Sequence, residues 1–348
     1  MRRLVILLVI LFSSAIPSGA VNYYVSPSGN NDADGLTPAT AWRTIDNGDS
    51  LLYPGDTVYV GPGTYTDSVV ITDSGSIDAR IVYQGVRDST LVDASGISQG
   101  VTILGSYITW SGISVKNATL SNIKVDGSRN LIRMCHIESA SSYGIHFDRS
   151  VDDCIEQNVI AHNGVSGIYL LGNSNKPTIV NNTFYYNSVY GLYCLAPISY
   201  LTNNIFEGHG SYAVKASQNS QLTYSIFHDN AANVTGGVDL GSGCLVDDPM
   251  MINPAGDNFR LASSSVAIDA GIDVGLPFFG PAPDMGAYET KSLASLTITP
   301  VYDSLFADSS YQFMVVALDK EGAPADPGIL TWSHTFPTGT INSSGLFS

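Results

Sequence analysis

Asn158-Val159-Ile160, Asn182-Thr183-Phe184, Asn204-Ile205-Phe206 and Ser225-Ile226-Phe227 repeat one chemical pattern, and Cys135-His136-Ile137 opens the series. The steps between them are 23, 24, 22 and 21 residues. Each unit continues into a second short apolar segment: Gly144-Ile145-His146-Phe147, Gly167-Ile168-Tyr169-Leu170, Gly191-Leu192-Tyr193-Cys194 and Ala213-Val214-Lys215-Ala216. A fixed period of this length marks a solenoid, in which a unit buries its apolar face only by stacking on its neighbours. The apolar segments are rich in Val, Ile, Thr, Tyr and Phe, and Gly, Asn, Asp and Ser separate them, which is a strand-and-turn pattern. No long stretch has apolar residues at a 3.6-residue period. A leucine-rich repeat shares the spacing but places its Asn after a helix-facing leucine pattern, whereas here Asn directly precedes an apolar strand. The expected fold is all-β: a parallel β-helix with two or three short strands per coil and right-handed crossovers.

Coils about 4.8 Å apart convert sequence repeats into ladders. Ile137, Ile160, Phe184, Phe206 and Phe227 are expected to form one buried stack. Asn158, Asn182 and Asn204 are expected at a turn, each amide bonding the next coil.

The first twenty residues read as a targeting segment, with Arg2 and Arg3, an apolar run from Leu4 to Phe12, and Ser18-Gly19-Ala20 as a small-residue cleavage site. The run is too short to span a bilayer, and no later run is long enough. Export through a cleaved signal peptide, to the medium or the cell surface, is expected. Without those arginines, 13 Lys+Arg face 31 Asp+Glu, a net charge of −18. That excludes a nucleic-acid partner, since phosphate binding relies on clustered cations. An anionic polysaccharide would need a metal ion or a local basic strip. Among the four cysteines, Cys135 takes a ladder position while Cys154 lies four residues before Asn158, an offset that argues against a disulfide between them.

Tyr23-Tyr24-Val25-Ser26-Pro27-Ser28-Gly29, Asp34-Gly35-Leu36-Thr37-Pro38 and Ala41-Trp42-Arg43-Thr44-Ile45 resemble the N-terminal cap of secreted bacterial right-handed parallel β-helix proteins of the pectate-lyase-like fold. Pro54-Gly55-Asp56-Thr57-Val58-Tyr59-Val60 and Gly63-Thr64-Tyr65 resemble their first coil. Ala267-Ile268-Asp269-Ala270-Gly271 and Asp284-Met285-Gly286-Ala287-Tyr288-Glu289 resemble their closing segment. The resemblance spans residues 21–290 and implies the fold without selecting an activity, since the group includes lyases, epimerases and non-catalytic surface proteins. An open solenoid end exposes strand edges and must be covered, so Trp42 at one end and Phe278, Phe279 and Tyr288 at the other are expected plugs.

The periodicity stops near Leu293. Leu296-Thr297-Ile298-Thr299-Pro300, Tyr311-Gln312-Phe313, Val315-Val316-Ala317, Leu330-Thr331-Trp332-Ser333 and the stretch from Thr340 to Phe347 suggest sandwich strands and resemble a bacterial immunoglobulin-like domain of group 2. A partial domain over residues 293–348, belonging to a longer surface protein, is the expectation.

Register also locates candidate site residues. Ile145 and Phe147 point inward, so His146 points outward. The corresponding outward positions are Lys124, His146, Tyr169, Tyr193, Lys215 and Asp239, and Asp126 and Asp148 begin the neighbouring column, continued by Leu171, Leu195 and Ser217. Tyrosine faces stack on sugar rings while cations and polar groups bond hydroxyls and carboxylates. β-Elimination from a uronate would further need charge neutralisation and a base; Lys215 or His146 could serve as the base. Asp126, Asp148, Asp152 and Asp153 offer hard oxygen ligands to calcium. Exposed solenoid strands also carry Tyr, Lys and Asp as solvated partners, and the signatures expected of pectate or alginate lyases are absent. His162, His209 and His228 show no regular metal-ligand spacing, which argues against zinc. Three readings therefore stand: a monomeric surface protein binding polysaccharide along the strip, a polysaccharide lyase using the same strip, and a non-catalytic adhesin or spacer.

Overall fold

The structure, a computed structural model, describes residues 19–170, 172, 176–195, 198, 200–216, 220–291, 293–299, 310–319, 332–333, 340–342 and 344–347. The expected targeting segment lies outside these apart from its last two residues, as do Leu171, Ser217, Pro300, Leu330 and Thr331.

Three parallel sheets wind into a right-handed solenoid. Among the described residues, the first sheet runs through nine strands from Asn22–Val25 to Leu222–Thr223. The second has nine, from Gly63–Tyr65 to Leu245–Val246, and the third eight, from Val69–Ile71 to Val234–Thr235. The strands are short because a corner follows every few residues, and corner residues such as Gln157, Asn181 and Asn203 take positive φ of 57°, 53° and 57°. Pairing is in the register read from the sequence: Ile137 faces Ile160, which faces Phe184, then Phe206, then Phe227. All five are fully buried, and the phenyl rings stack, with centroids 4.6 Å apart for Phe184–Phe206 and 5.3 Å for Phe206–Phe227. Such a lumen is a dry stack of like on like.

The asparagine ladder is present at the corner between the first and second sheets. The Asn158 N–H and Nδ2 both donate to Asn182 Oδ1 at 3.0 Å, and the Asn182 N–H and Nδ2 donate to Asn204 Oδ1 at 2.9 and 3.2 Å. Each Nδ2 also reaches a carbonyl on the first-sheet strand of the preceding coil, as Asn182 does with Ile155 at 2.9 Å. Buried backbone groups at a corner would otherwise lack partners, and the amide supplies both polarities.

A second ladder, at the corner between the second and third sheets, was not anticipated. Asn163, Asn187, His209 and Asn230 succeed one another there, the first two linked by Asn163 Nδ2 donating to Asn187 Oδ1 at 2.9 Å. The repeated glycines serve this ladder: a Cβ at Gly167 would stand 2.9 Å from Asn187 Nδ2, and one at Gly191 2.6 Å from His209 Nε2.

Trp42 is the expected N-terminal plug, buried, stacked on Tyr23 at 4.8 Å and donating Nε1–H to the Ala33 carbonyl at 3.0 Å. The closing segment corrects the expectation at the other end. Residues 247–290 fold back along the outer face of the second sheet as a strap. Phe259 and Ala287 pack on Val159, Ala161 and Tyr185, and Leu261, Ala267 and Met285 pack on Ile205 and Ile226, in two clusters separate from the lumen. Tyr288 lies beneath the Arg87 and Arg260 guanidiniums, at 3.9 and 4.7 Å, and Arg87 also donates to the Ala287 carbonyl. Phe278 and Phe279 are half-buried and belong to none of these clusters. The physical reason is that these strands present apolar side chains on both faces, so the outer face needs a cover more than the end does.

No disulfide joins the four cysteines. Beyond the solenoid, Leu293–Thr299 pairs antiparallel with Met314–Asp319, and Tyr311–Gln312 with Leu346–Phe347. These small sheets are compatible with part of a sandwich. Among the described residues, no helix is long and apolar enough to cross a membrane.

Candidate functional site

The third sheet places the outward residues of successive strands in one column. Lys124 pairs with His146, His146 with Tyr169, Tyr169 with Tyr193, and Tyr193 with Lys215. Their strands alternate cleanly, Ile145 and Phe147 buried around a half-buried His146, and Ile168 and Leu170 around Tyr169. Asp239 is not in the column. Lys215 is followed by Thr235, because Gly236 and Gly237, with φ of 93° and 88°, end the last strand early and leave Asp239 exposed in the loop beyond.

A second set of rings fills the gaps between these residues. Tyr143, Ser166, Tyr190 and Tyr212 form the adjacent column, three residues earlier in each strand. Tyr143 stacks on Tyr169 with centroids 4.6 Å apart, Tyr190 lies 5.0 Å from Tyr193, and Tyr169 meets Tyr193 edge-on at 5.4 Å. The His146 ring sits 5.3 Å from both Tyr143 and Tyr169. Lys215 Nζ lies over the Tyr193 and Tyr190 rings, at 4.6 and 5.5 Å. The outcome is a pavement of phenols and one imidazole with a lysine at each end. The three additional tyrosines were legible in the sequence as the recurring Tyr-x-x partner of His146, Tyr193 and Lys215, once both columns are counted.

The electrostatics divide the ends from the middle. Lys124 Nζ is committed to Asp126 Oδ2 at 3.0 Å. The phenol of Tyr169 is held above its ordinary range, by burial first and then by Tyr143 and Tyr193, so it stays a neutral donor. Burial lowers the His146 pKa, opposed by Asp148 and reinforced by Lys124. Both ring nitrogens of His146 lack a hydrogen-bond partner, as does Asp126 Oδ1.

The four aspartates proposed as calcium ligands do not converge. Asp126 is taken by Lys124, and Asp152 pairs with Arg129 at 3.4 Å. Asp148 lies 3.9 Å from Arg149. Asp153 is buried with Oδ1 accepting from the Asn130 N–H at 2.8 Å, and burial pushes its carboxyl up to about 7. Among the described residues, the groups of three or more ligating side chains lie elsewhere, at His136–Glu138–Asp257 and Glu207–His228–Asp248. Both are on the second sheet and its strap, where residues distant in sequence meet, so spacing along the chain gave no sign of them. Neighbouring cations engage Asp126, Asp148 and Asp152, and only Asp153 is buried at a corner.

Stacked parallel strands, a lumen of like residues and corner ladders decide the architecture. The chain is a right-handed parallel β-helix protein. A family model described as a Pel9A-like, right-handed β-helix region matches residues 23–163, and one described as a right-handed β-helix region matches residues 121–253. No curated protein matches the chain. Among solved structures, pectate lyase Pel9A is similar at 16% identity, with 78% of this chain and 97% of that one covered and a TM-score of 0.54. A GH136 lacto-N-biosidase from Eubacterium ramulus is similar at 12% identity, covering 64% of this chain and 57% of that one, with a TM-score of 0.51. At these identities the likeness is one of fold.

Proposed function

We propose that this β-helix protein binds polysaccharide along the third sheet, across the pavement from Lys124 to Lys215, and does so outside the cell. The observation that carries the reading is the continuous aromatic surface made by Tyr143, Tyr169, Tyr190 and Tyr193 at one or two rings per coil. Coils repeat about every 4.8 Å, close to the rise of one sugar residue along an extended glycan, so an extended chain lying along the solenoid axis meets a ring face at each step. Apolar ring faces stack on aromatic planes while the phenol hydroxyls bond the sugar hydroxyls. With a net charge of −16, the protein favours neutral glycans over anionic ones. A leading targeting segment and an immunoglobulin-like module over residues 293–348 fit a protein displayed at a surface.

A glycan array probed with the wild type, Tyr169→Ala and Tyr193→Ala tests the reading. Each substitution removes a stacking plane and should weaken binding by about 1 kcal/mol, roughly fivefold. Binding unchanged in both variants contradicts it.

One observation favours a second reading, as a lyase. Burial lowers the His146 pKa and leaves both ring nitrogens buried and unpartnered; turned outward, the imidazole would accept the C5 proton of a uronate while the C4–O bond breaks, with water giving the leaving oxygen its proton. Absorbance of unsaturated uronates on a polysaccharide panel checks this; a signal abolished by His146→Gln supports it, and no signal on any uronate polymer removes it.

A further inference from the structure

The strap leaves part of the second sheet's outer face open. Between the strap and the early coils lies a cleft of about 370 Å³, lined by Thr64, Asp88, Lys116, His136, Glu138 and Asp257 among others. His136 and Glu138 project from the same strand, His136–Glu138, while Asp257 comes from the strap, at the end of the short 3-10 turn Pro254–Gly256. Asp257 is held there with φ 62° by its N–H bonding back to the Pro254 carbonyl. Phe259 packs edge-on against the His136 ring, centroids 5.4 Å apart at 85°. The backbone N–H of His136 donates to Ser114 Oγ at 3.2 Å, which holds the strand, and the ring lies with Nε2 on the side of Glu138. That Nε2 is buried and has no hydrogen-bond partner. It stands 3.5 Å from Glu138 Oε2, too long for a good hydrogen bond, and one ligating atom from each of the three residues lies within 4.8 Å of the others.

We infer that His136 Nε2, Glu138 and Asp257 form a binding site for a divalent transition-metal ion of the zinc type, its remaining coordination position open to the cleft. Ligands about 2.1 Å from a tetrahedral ion stand about 3.4 Å apart. The His136–Glu138 separation already meets this, and the exposed Asp257 carboxylate needs only a small side-chain movement. One imidazole with two carboxylates suits zinc and its neighbours, whereas calcium prefers an all-oxygen shell of six or more ligands. Three protein ligands leave a fourth position, and the cleft that the three residues line together with Lys116 and Asp88 gives it room. Since the ligands lie on a coil and on the strap, the ion also clips the two together. This site is on a different sheet from the pavement and does not depend on glycan binding.

Calorimetric titration of the full chain with zinc chloride at pH 7, in parallel with calcium chloride, tests the inference, with thermal melts as a second readout. Wild-type protein should bind zinc at this site, melt at higher temperature with zinc, and respond much less to calcium. His136→Gln and Asp257→Asn should each weaken zinc by about tenfold or more; Asp257 is exposed, so its variant keeps the fold. His228→Gln, which disables the Glu207–His228–Asp248 group, should leave this binding intact. Absence of zinc binding in the wild type, zinc affinity unchanged in both His136→Gln and Asp257→Asn, or its loss in His228→Gln alone overturns the site.

Discussion

His209 occupies a ladder position that its neighbours fill with asparagine. Its Nδ1 lies 3.2 Å from the Asn187 nitrogen and 3.3 Å from the Asn187 carbonyl oxygen, and full burial holds its pKa down to about 4, so the imidazole is neutral near pH 7. An unfolded histidine titrates near 6.5. Between about 6.5 and 4 the unfolded chain therefore binds a proton that the native one does not. The His209 contribution to stability is complete above that window and is lost as the pH falls through it. His209→Asn restores the ladder side chain without the titration. The difference in melting temperature between variant and wild type, followed by circular dichroism, should shift in favour of the variant from pH 7 to pH 4; parallel curves would contradict the assignment. In the other ladder, Asn182 Nδ2 serves the carbonyls of Ile155, at 2.9 Å, and Val180, also at 2.9 Å. Asn182→Asp replaces that donor with a buried acceptor facing carbonyl oxygens. It should cost about 3 kcal/mol or more in denaturant unfolding, well above the cost of Asn182→Ala.

The strap is the element that separates what the sequence reveals from what it hides. Its anchors read Val159-Ile160-Ala161, Thr183-Phe184-Tyr185 and Ile205-Phe206-Glu207, strands with apolar or aromatic residues outside as well as inside. A strand apolar at consecutive positions is buried on both faces, so the need for a cover was legible; which segment provides it was not, because contacts over about 100 residues leave no periodic trace. The coil register, by contrast, was readable in the second- and third-sheet strands between residues 124 and 227, where like residues recur at a fixed step. It failed at Asp239, where paired glycines shorten the last coil. The aspartates misled for a related reason: Asp favours corners for local hydrogen bonding alone. Phe259 sits at the centre of the strap contact, against Tyr185 at 5.3 Å and His136 at 5.4 Å. Phe259→Ala should cost about 3 kcal/mol. Hydrogen exchange should accelerate across residues 251–289 while the lumen strands stay protected; uniform acceleration along the solenoid would show that the strap and coils do not separate.

Across the whole molecule, the three walls differ in what they carry. The second is partly covered by the strap and borders the His136 cleft, and the third carries the pavement. Stacking makes each wall a line of equivalent positions, so a polymer can engage several coils at once without any deep pocket. The protein's acidity sharpens that picture: −16 overall, with only Lys124 and Lys215 in the pavement column, and Lys124 already paired with Asp126. Affinity should then come from successive ring contacts, and a neutral glycan's binding should change little with salt.

The most direct test is calorimetric titration of the wild-type chain with a length series of one neutral oligosaccharide drawn from the array hits. The column Lys124, His146, Tyr169, Tyr193 and Lys215 spans five coils. Affinity should rise with each added sugar up to about five residues, at one coil per sugar, and then level off. Full affinity already reached with a mono- or disaccharide, or no dependence on Tyr169 and Tyr193 at any length, would contradict a binding track along the third sheet.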